Sequence, residues 1–259
     1  MIISHKYKFI FIKSRKTGGT SVEVSLAMQC GKDDIITGIT DYSKKSDENF
    51  YVHSSRNYEG FNRHIKPDKI RVKIGDKIWN SYFKFTIVRN PWDFAVSMYK
   101  WQQFKNSREY LPTFIKIKVK KSIRKIKKNF FKPGPYLELL KIISLIFNKY
   151  KANKKLRNFD NFVKEFSGKI KNTGFYFDSD GKPLADYYIR FEELEEGYKK
   201  VCEILKIPYQ KLPRLKTKLR KKGEHYSSFY NNEAKGIVAE EFKKEIEFFG
   251  YRFEVEENL

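Results

Sequence analysis

The residues Lys16-Thr17-Gly18-Gly19-Thr20-Ser21 combine a cation, two adjacent glycines and several hydroxyl groups, types that suit the binding of a phosphate or sulfate. The glycines let the backbone approach an anion closely, and Lys16 adds a full positive charge. An apolar run at 9–12 precedes this stretch, and an alternating apolar tract at 22–26 follows it. The pattern predicts a strand, a glycine turn and a helix whose first N–H groups can bind an anion.

The order of residues in this turn differs from that of the nucleotide triphosphatases. Their loop ends in Gly-Lys-Ser/Thr, four residues after a first glycine, and no such string occurs in this chain. Here the lysine precedes the glycines. A plain strand-to-helix turn with an exposed lysine is therefore the alternative interpretation of this motif taken alone.

A second motif with the same chemistry follows another predicted strand. Residues 83–88 alternate and are rich in β-branched and aromatic types, and Arg89-Asn90-Pro91 comes directly after them. Pro91 suits the first turn of a helix, which places Ser97 about two helical turns beyond Arg89. Arg89 and Ser97 can then grip one phosphate from two sides, although a surface arginine and an ordinary helix serine are the alternative.

Together the two motifs resemble those of the sulfotransferases that use 3′-phosphoadenosine 5′-phosphosulfate (PAPS). The glycine turn resembles their 5′-phosphosulfate loop and Arg89 with Ser97 their 3′-phosphate motif, in the form found in the carbohydrate (Golgi-type) branch and its bacterial relatives. The resemblance covers most of the chain outside 104–157. Arg15 stands where that branch has a proline, and Lys13 where many relatives have a histidine. The cofactor-binding residues that the resemblance implies are Arg15, Lys16, Thr17, Gly18, Gly19, Thr20, Ser21, Arg89 and Ser97.

Two catalytic roles must be filled in sulfuryl transfer. A cation must neutralise charge on the departing phosphate, and a base must take the proton of the acceptor. The resemblance implies the first role for Lys16. We predict His64 as the base, because relatives often carry a histidine motif between the two cofactor elements. A helix cap or a surface position is the alternative for His64, and His53 or an unidentified carboxylate is the alternative base.

The positive charge is concentrated in one segment. The chain of 259 residues has a net charge of +23, and residues 104–157 hold 17 Lys and Arg against two Asp and Glu. Apolar residues recur there at near-helical spacing, which predicts a basic helical insertion. The insertion could contact an anionic membrane surface or an acidic glycan, or simply pack on the main domain with its lysines solvated.

Cellular context is predicted from the cysteines and the apolar runs. Cys30 and Cys202 lack metal-site spacing, so reduced thiols and no metal are expected. The first predicted strand leaves no room for a cleavable signal, and no apolar run approaches the roughly 20 residues of a membrane span. We therefore expect a cytoplasmic enzyme, with peripheral attachment to the inner membrane surface through the insertion as an alternative.

The predicted elements alternate between strand and helix. Strands are predicted at 8–13, 83–88 and 187–191, and helices near 20–29, 91–103, 158–166, 192–205 and 233–248. This order favours an α/β fold with a doubly wound parallel sheet, flanking helices and a layout like the P-loop nucleotide kinases. We expect one domain, 1–259, with the insertion at about 104–157.

The predicted function is in-line sulfuryl transfer from PAPS to a hydroxyl of a glycan. A basic nucleic-acid-binding protein and a P-loop kinase of atypical sequence are the alternatives. The first fits the charge, but the chain shows no recognisable nucleic-acid motif, so no nucleic-acid partner is expected. The second lacks the Gly-Lys-Ser/Thr ending and an evident magnesium-binding carboxylate after a strand.

Overall fold

The computed structural model describes residues 1–38, 55–106, 158–166, 171–215 and 223–255, together with the isolated residues 137, 140 and 144. His53 and nearly all of the basic segment at 104–157 lie outside the described residues. The chain divides into two compact units. Unit 1 comprises Met1–Phe94, Ile170–Thr217 and Phe242–Arg252, and unit 2 comprises Ala95–Lys169, Lys218–Glu241 and Phe253–Leu259. The single domain with a basic insertion stays a prediction.

Unit 1 contains a five-stranded mixed sheet. The strands are β1 (Ile2–Ser4), β2 (Phe9–Ile12), β3 (Ile35–Ile36), β4 (Phe83–Val88) and β5 (Tyr187–Arg190). Their order across the sheet is β3-β1-β2-β4-β5. The strands β2, β4 and β5 are parallel, whereas β1 pairs antiparallel with β2 and with β3.

The prediction of an all-parallel sheet is wrong at the β1–β3 edge. Residues 5–8 are the whole connection between β1 and β2. A link this short joins only antiparallel neighbours, because a parallel pair needs a crossover of a dozen or more residues. The three predicted strands form the parallel part, so the carboxyl ends of β2 and β4 lie side by side.

Eight helices accompany the strands in the described ranges. They are α1 (Gly19–Ala27), α2 (Pro67–Ser81), α3 (Pro91–Asn106), α4 (Phe159–Phe166), α5 (Thr173–Tyr176), α6 (Leu194–Leu205), α7 (Asn232–Glu241) and α8 (Lys243–Phe249). Within α2 the backbone leaves the helical region at Gly75, with φ 80° and ψ 158°, so this helix is kinked there. The single helix predicted over 233–248 is two helices, because Phe242 leaves the helical region at φ −114°, ψ 20°. Its ring is buried and packs edge-on against Phe94. None of the helices in these ranges is long and apolar enough to cross a membrane.

The core of unit 1 surrounds the parallel strands. All four residues of β2 are buried, as expected for a strand covered on both faces. Phe11 stacks on Phe85 of β4, with ring centroids 5.1 Å apart. On the other side of β4, helix α6 lies so close to β5 that a Cβ on Gly197 would be 2.5 Å from Cγ2 of Ile189. This close packing fixes the sheet whose strand ends carry the candidate site.

Unit 2 is held together largely by aromatic side chains. Phe159 of α4 packs edge-on against Tyr99 and Tyr230, with centroid distances of 5.4 and 4.7 Å. An exposed ion pair between Lys164 and Glu233 joins α4 to α7. Such an exposed pair contributes little to stability, whereas the aromatic contacts bury large apolar side chains among the described residues of unit 2.

Candidate active site

The turn between β2 and α1 has a left-handed backbone at two residues. Lys16 has φ 58° and Gly18 has φ 74°. A Cβ on Gly18 would lie 2.9 Å from Cδ2 of Leu194, so this position requires glycine for both its backbone angle and its packing. A lysine seldom adopts positive φ, so the surrounding contacts must hold Lys16 in place.

Two backbone N–H groups at the start of α1 form no hydrogen bond within the described residues. Ser21 donates its N–H to the oxygen of Gly18 at 3.0 Å. The amides of Gly19 and Thr20 have no hydrogen-bond acceptor in the described ranges, and no side chain caps this helix. With the positive end of the helix dipole, these two N–H groups form a cradle for an anion.

Hydroxyl groups attach the turn to the neighbouring strand. Ser14 donates its hydroxyl to the backbone oxygen of Ile87 in β4, at 2.6 Å. The hydroxyl of Thr17 lies 2.8 Å from Ser14 Oγ and must be the donor there, since the one proton of Ser14 is already used. The predicted cofactor residue Thr17 therefore holds the turn with its side chain.

Arg89 brings the second motif into direct contact with the first. Its Nη1 donates to the backbone oxygen of Lys16 at 2.7 Å, and its Nε donates to Asp93 at 2.7 Å. The guanidinium carbon lies 4.0 Å from the centroid of the Phe191 ring. The remaining nitrogen, Nη2, has no hydrogen-bond partner in the part of the chain described. Nε and Nη1 are thus occupied, and the N–H groups of Nη2 can bind a phosphate.

His64 lies on the loop before α2, with its ring held by the backbone that leads out of β2. Its Nδ1 is 2.9 Å from the backbone oxygen of Lys13. A carbonyl oxygen only accepts, so Nδ1 carries the proton and Nε2 is left with a free lone pair. Burial lowers the pKa of His64 to about 4, and the positive charges of Lys13 and Arg15 act in the same direction. The imidazole is therefore neutral at pH 7.

A comparison with protein families agrees with this arrangement. The model of the sulfotransferase family matches residues 1–252. The chain belongs to the sulfotransferase family. No curated protein and no solved structure matched in the corresponding searches.

This sulfotransferase buries an ion pair behind the turn. Lys13, which stands where many relatives have a histidine, forms an ion pair with Glu23 of α1, and both side chains are buried. Glu23 also accepts a hydrogen bond from the hydroxyl of Thr37 at 3.2 Å. Lys13 is thus a structural cation, and its charge is compensated inside the protein.

Asn90 of the second motif has a structural task that the sequence reasoning missed. Its backbone N–H donates to Glu192 at 2.7 Å, and its side-chain amide donates to the backbone oxygen of Arg252 at 3.0 Å. Its side-chain oxygen accepts from the N–H of Trp92 at the start of α3. The Asn-Pro pair at the predicted helix start was the available signal for this capping role.

Asn172, a second missed residue, fixes the backbone of Arg15. The Arg15 N–H donates to Asn172 Oδ1 at 3.0 Å, and Asn172 Nδ2 donates back to the Arg15 oxygen at 2.9 Å. The amide of Arg15 is therefore occupied, and only its exposed side chain can reach a ligand. No local sequence signal indicates this contact, since the partners are 157 residues apart.

The remaining predicted residue, Ser97, is half-buried on α3 and belongs to unit 2. Its cooperation with Arg89 stays a prediction. The described residues contain no group of three or more His, Cys, Asp and Glu side chains that could hold a metal ion. His53, the alternative base, lies outside the described residues.

Proposed function

We propose that this sulfotransferase transfers a sulfuryl group from PAPS to a hydroxyl of a glycan. The observation that supports this most is the hydrogen bond from Arg89 to the backbone of Lys16, which joins two anion-binding motifs at adjacent strand ends. Two separate anion-binding elements suit a donor with two phosphate-bearing ends better than a donor with one phosphate chain.

On the donor side, the residues present fit such a cofactor. The amides of Gly19 and Thr20 would bind the phosphosulfate end, and Arg89 would bind the 3′-phosphate. PAPS, when bound, supplies the sulfuryl group and a phosphate leaving group. The positive charge of Lys16, held beside the cradle by its left-handed backbone, would stabilise negative charge on that leaving group.

On the acceptor side, His64 would take the proton of the attacking hydroxyl at Nε2. Its Nδ1–H remains bonded to the Lys13 oxygen, which fixes the orientation of the ring and favours the positive charge that proton uptake creates. Burial keeps His64 unprotonated before the acceptor binds. The ring thus starts each turnover in the form that a base requires.

A calorimetric titration tests the donor. Adenosine 3′,5′-bisphosphate, ATP and duplex DNA are titrated into the wild type, into Lys16→Ala and into Lys77→Ala, an exposed lysine of α2 that serves as the charge-matched control. We expect the bisphosphate to bind best and Lys16→Ala alone to weaken it. Tighter binding of ATP would favour a kinase, and salt-sensitive DNA binding untouched by Lys16→Ala would favour a nucleic-acid-binding protein.

Transfer itself is tested with His64→Ala. Sulfated product from a mixture of glycans should disappear, while bisphosphate affinity changes little, because His64 lies on the acceptor side. Equal loss of binding and transfer would contradict the role of His64 as the base.

A further inference from the structure

Lys66 is a cation of the candidate active site that the mechanism above leaves without a task. It lies two residues after His64, and its ammonium nitrogen is 4.5 Å from the centroid of the Phe175 ring. The side chain is half-buried. Burial lowers the pKa of Lys66, the charge of Arg15 lowers it further, and Asp68 acts in the opposite direction. The ammonium group therefore lies against the protein and is not fully solvated.

The residues after Asn172 leave space for the ammonium group of Lys66. Gly174 has no side chain, and a Cβ there would lie 2.5 Å from Nζ of Lys66. The ring of Phe175 lies beneath the ammonium group, and the two form a cation–π contact. The same segment holds the backbone of Arg15 through the two hydrogen bonds of Asn172. One short stretch of chain thus positions both Lys66 and Arg15.

Neither of these two cations forms an ion pair or a hydrogen bond through its side chain in the described part of the chain, although the charge of Asp68 acts on Lys66. Asn172 holds Arg15, and Gly174 and Phe175 contact Lys66, so one short segment lies against both residues. In agreement with this, the charge of Arg15 lowers the pKa of Lys66. Two like charges held near each other repel, and a bound anion would remove that cost.

We propose that Lys66 and Arg15 form an acceptor subsite that binds an anionic group, a carboxylate or a sulfate ester, on the sugar whose hydroxyl is presented to His64. The inference rests on the proposed function and adds the charge of the acceptor to it. Arg15 was predicted from the glycine turn to bind the cofactor, and the proposal assigns its side chain to the acceptor instead. Lys66 is a specificity-determining residue, since it touches the acceptor and not the reacting atoms.

Two matched pairs of glycosides test the subsite. p-Nitrophenyl β-glucuronide is compared with the neutral β-glucoside, and p-nitrophenyl N-acetylglucosaminide 6-sulfate with its unsulfated parent. The dissociation constants are measured by calorimetry with saturating adenosine 3′,5′-bisphosphate. We expect the charged member of at least one pair to bind about tenfold tighter, the effect of one charge-assisted hydrogen bond. The pair that shows the preference distinguishes a carboxylate from a sulfate ester.

Three variants test whether Lys66 causes the preference for the charged glycoside. Lys66→Met should abolish it, Lys66→Arg should retain part of it, and Lys69→Met, an exposed lysine one turn along α2, should leave it unchanged. Equal binding of both members in both pairs by the wild type would overturn the subsite, as would an unchanged preference in Lys66→Met. Loss of bisphosphate affinity in Lys66→Met would assign Lys66 to the donor and also overturn it. If the wild type does not bind the bisphosphate at all, the proposed function fails and the subsite fails with it.

Discussion

Arg89 donates a hydrogen bond from Nη1 to the backbone oxygen of Lys16 at 2.7 Å, across 73 residues of sequence. The two residues follow parallel neighbouring strands, so the sheet brings them to one edge. The bond also restrains Lys16 at φ 58°, an angle that costs free energy in a residue with a side chain. Arg89 therefore does two things in this arrangement: it presents a cation and it positions the lysine.

The dual task of Arg89 predicts a large effect for Arg89→Lys, although the charge is kept. A lysine cannot bond Asp93 and the Lys16 oxygen while stacking on Phe191, because it lacks the planar fork of the guanidinium. We expect the affinity for adenosine 3′,5′-bisphosphate to fall about 10- to 100-fold in calorimetry. Arg71→Lys is the control, since Arg71 forms an exposed ion pair with Asp76. Unchanged affinity in Arg89→Lys would show that Arg89 does not hold the cradle.

The left-handed backbone at Gly18 can be tested by measuring the free energy of unfolding. Gly18→Ala places a Cβ at φ 74° and 2.9 Å from Leu194, so we expect the free energy of unfolding to fall by about 1–3 kcal/mol. Gly236→Ala is the matched control, because Gly236 lies inside α7 with nothing within 4 Å of the added Cβ. There the free energy of unfolding should rise by roughly 0.5–1 kcal/mol. Urea denaturation measures both, and equal effects would contradict the strained backbone at Gly18.

The parallel part of the sheet was predictable because its strands are rich in β-branched and aromatic residues. Strands β2, β4 and β5 lie within the predicted ranges. The strands β1 and β3 have three and two residues, too short for an alternating pattern to emerge. The antiparallel pairing of β1 with β2 depends on the short link at 5–8, which the prediction of one longer strand from residue 8 did not weigh.

The local motifs of the site could be recognised from the sequence, whereas contacts between residues far apart in the chain could not. The glycine turn and Arg89 can each be recognised from a few neighbouring residues of the sequence. Asn172 and Glu192 act through partners 157 and 102 residues away, and nothing in their neighbours indicates those contacts. His64 was predicted from its place between the motifs, but the orientation of its ring depends on the Lys13 carbonyl, 51 residues away.

The buried ion pair behind the turn predicts a strong effect for Glu23→Gln. The substitution removes the carboxylate that the buried ammonium of Lys13 contacts, so the free energy of unfolding should fall by about 3–5 kcal/mol. Glu23 also accepts from the buried N-terminal amine of Met1, so the double variant Lys13→Met with Glu23→Leu should recover only the part of that loss that comes from Lys13. Thermal or urea unfolding measures the series. A small loss in Glu23→Gln would mean that the pair contributes little to the fold.

The lowered pKa of His64 predicts that the protein loses stability as the pH falls. Its pKa in the folded protein is about 4 against an ordinary value of 6.5, so between these values the unfolded chain binds a proton that the folded protein does not. Stability is therefore lost as the pH falls from about 6.5 to about 4, by up to about 3 kcal/mol from this group. His64→Asn keeps a donor for the Lys13 oxygen but does not titrate, so its loss over the same range should be smaller by that amount. Urea denaturation at a series of pH values compares the two proteins, and parallel pH profiles would show that His64 is not held neutral by the fold.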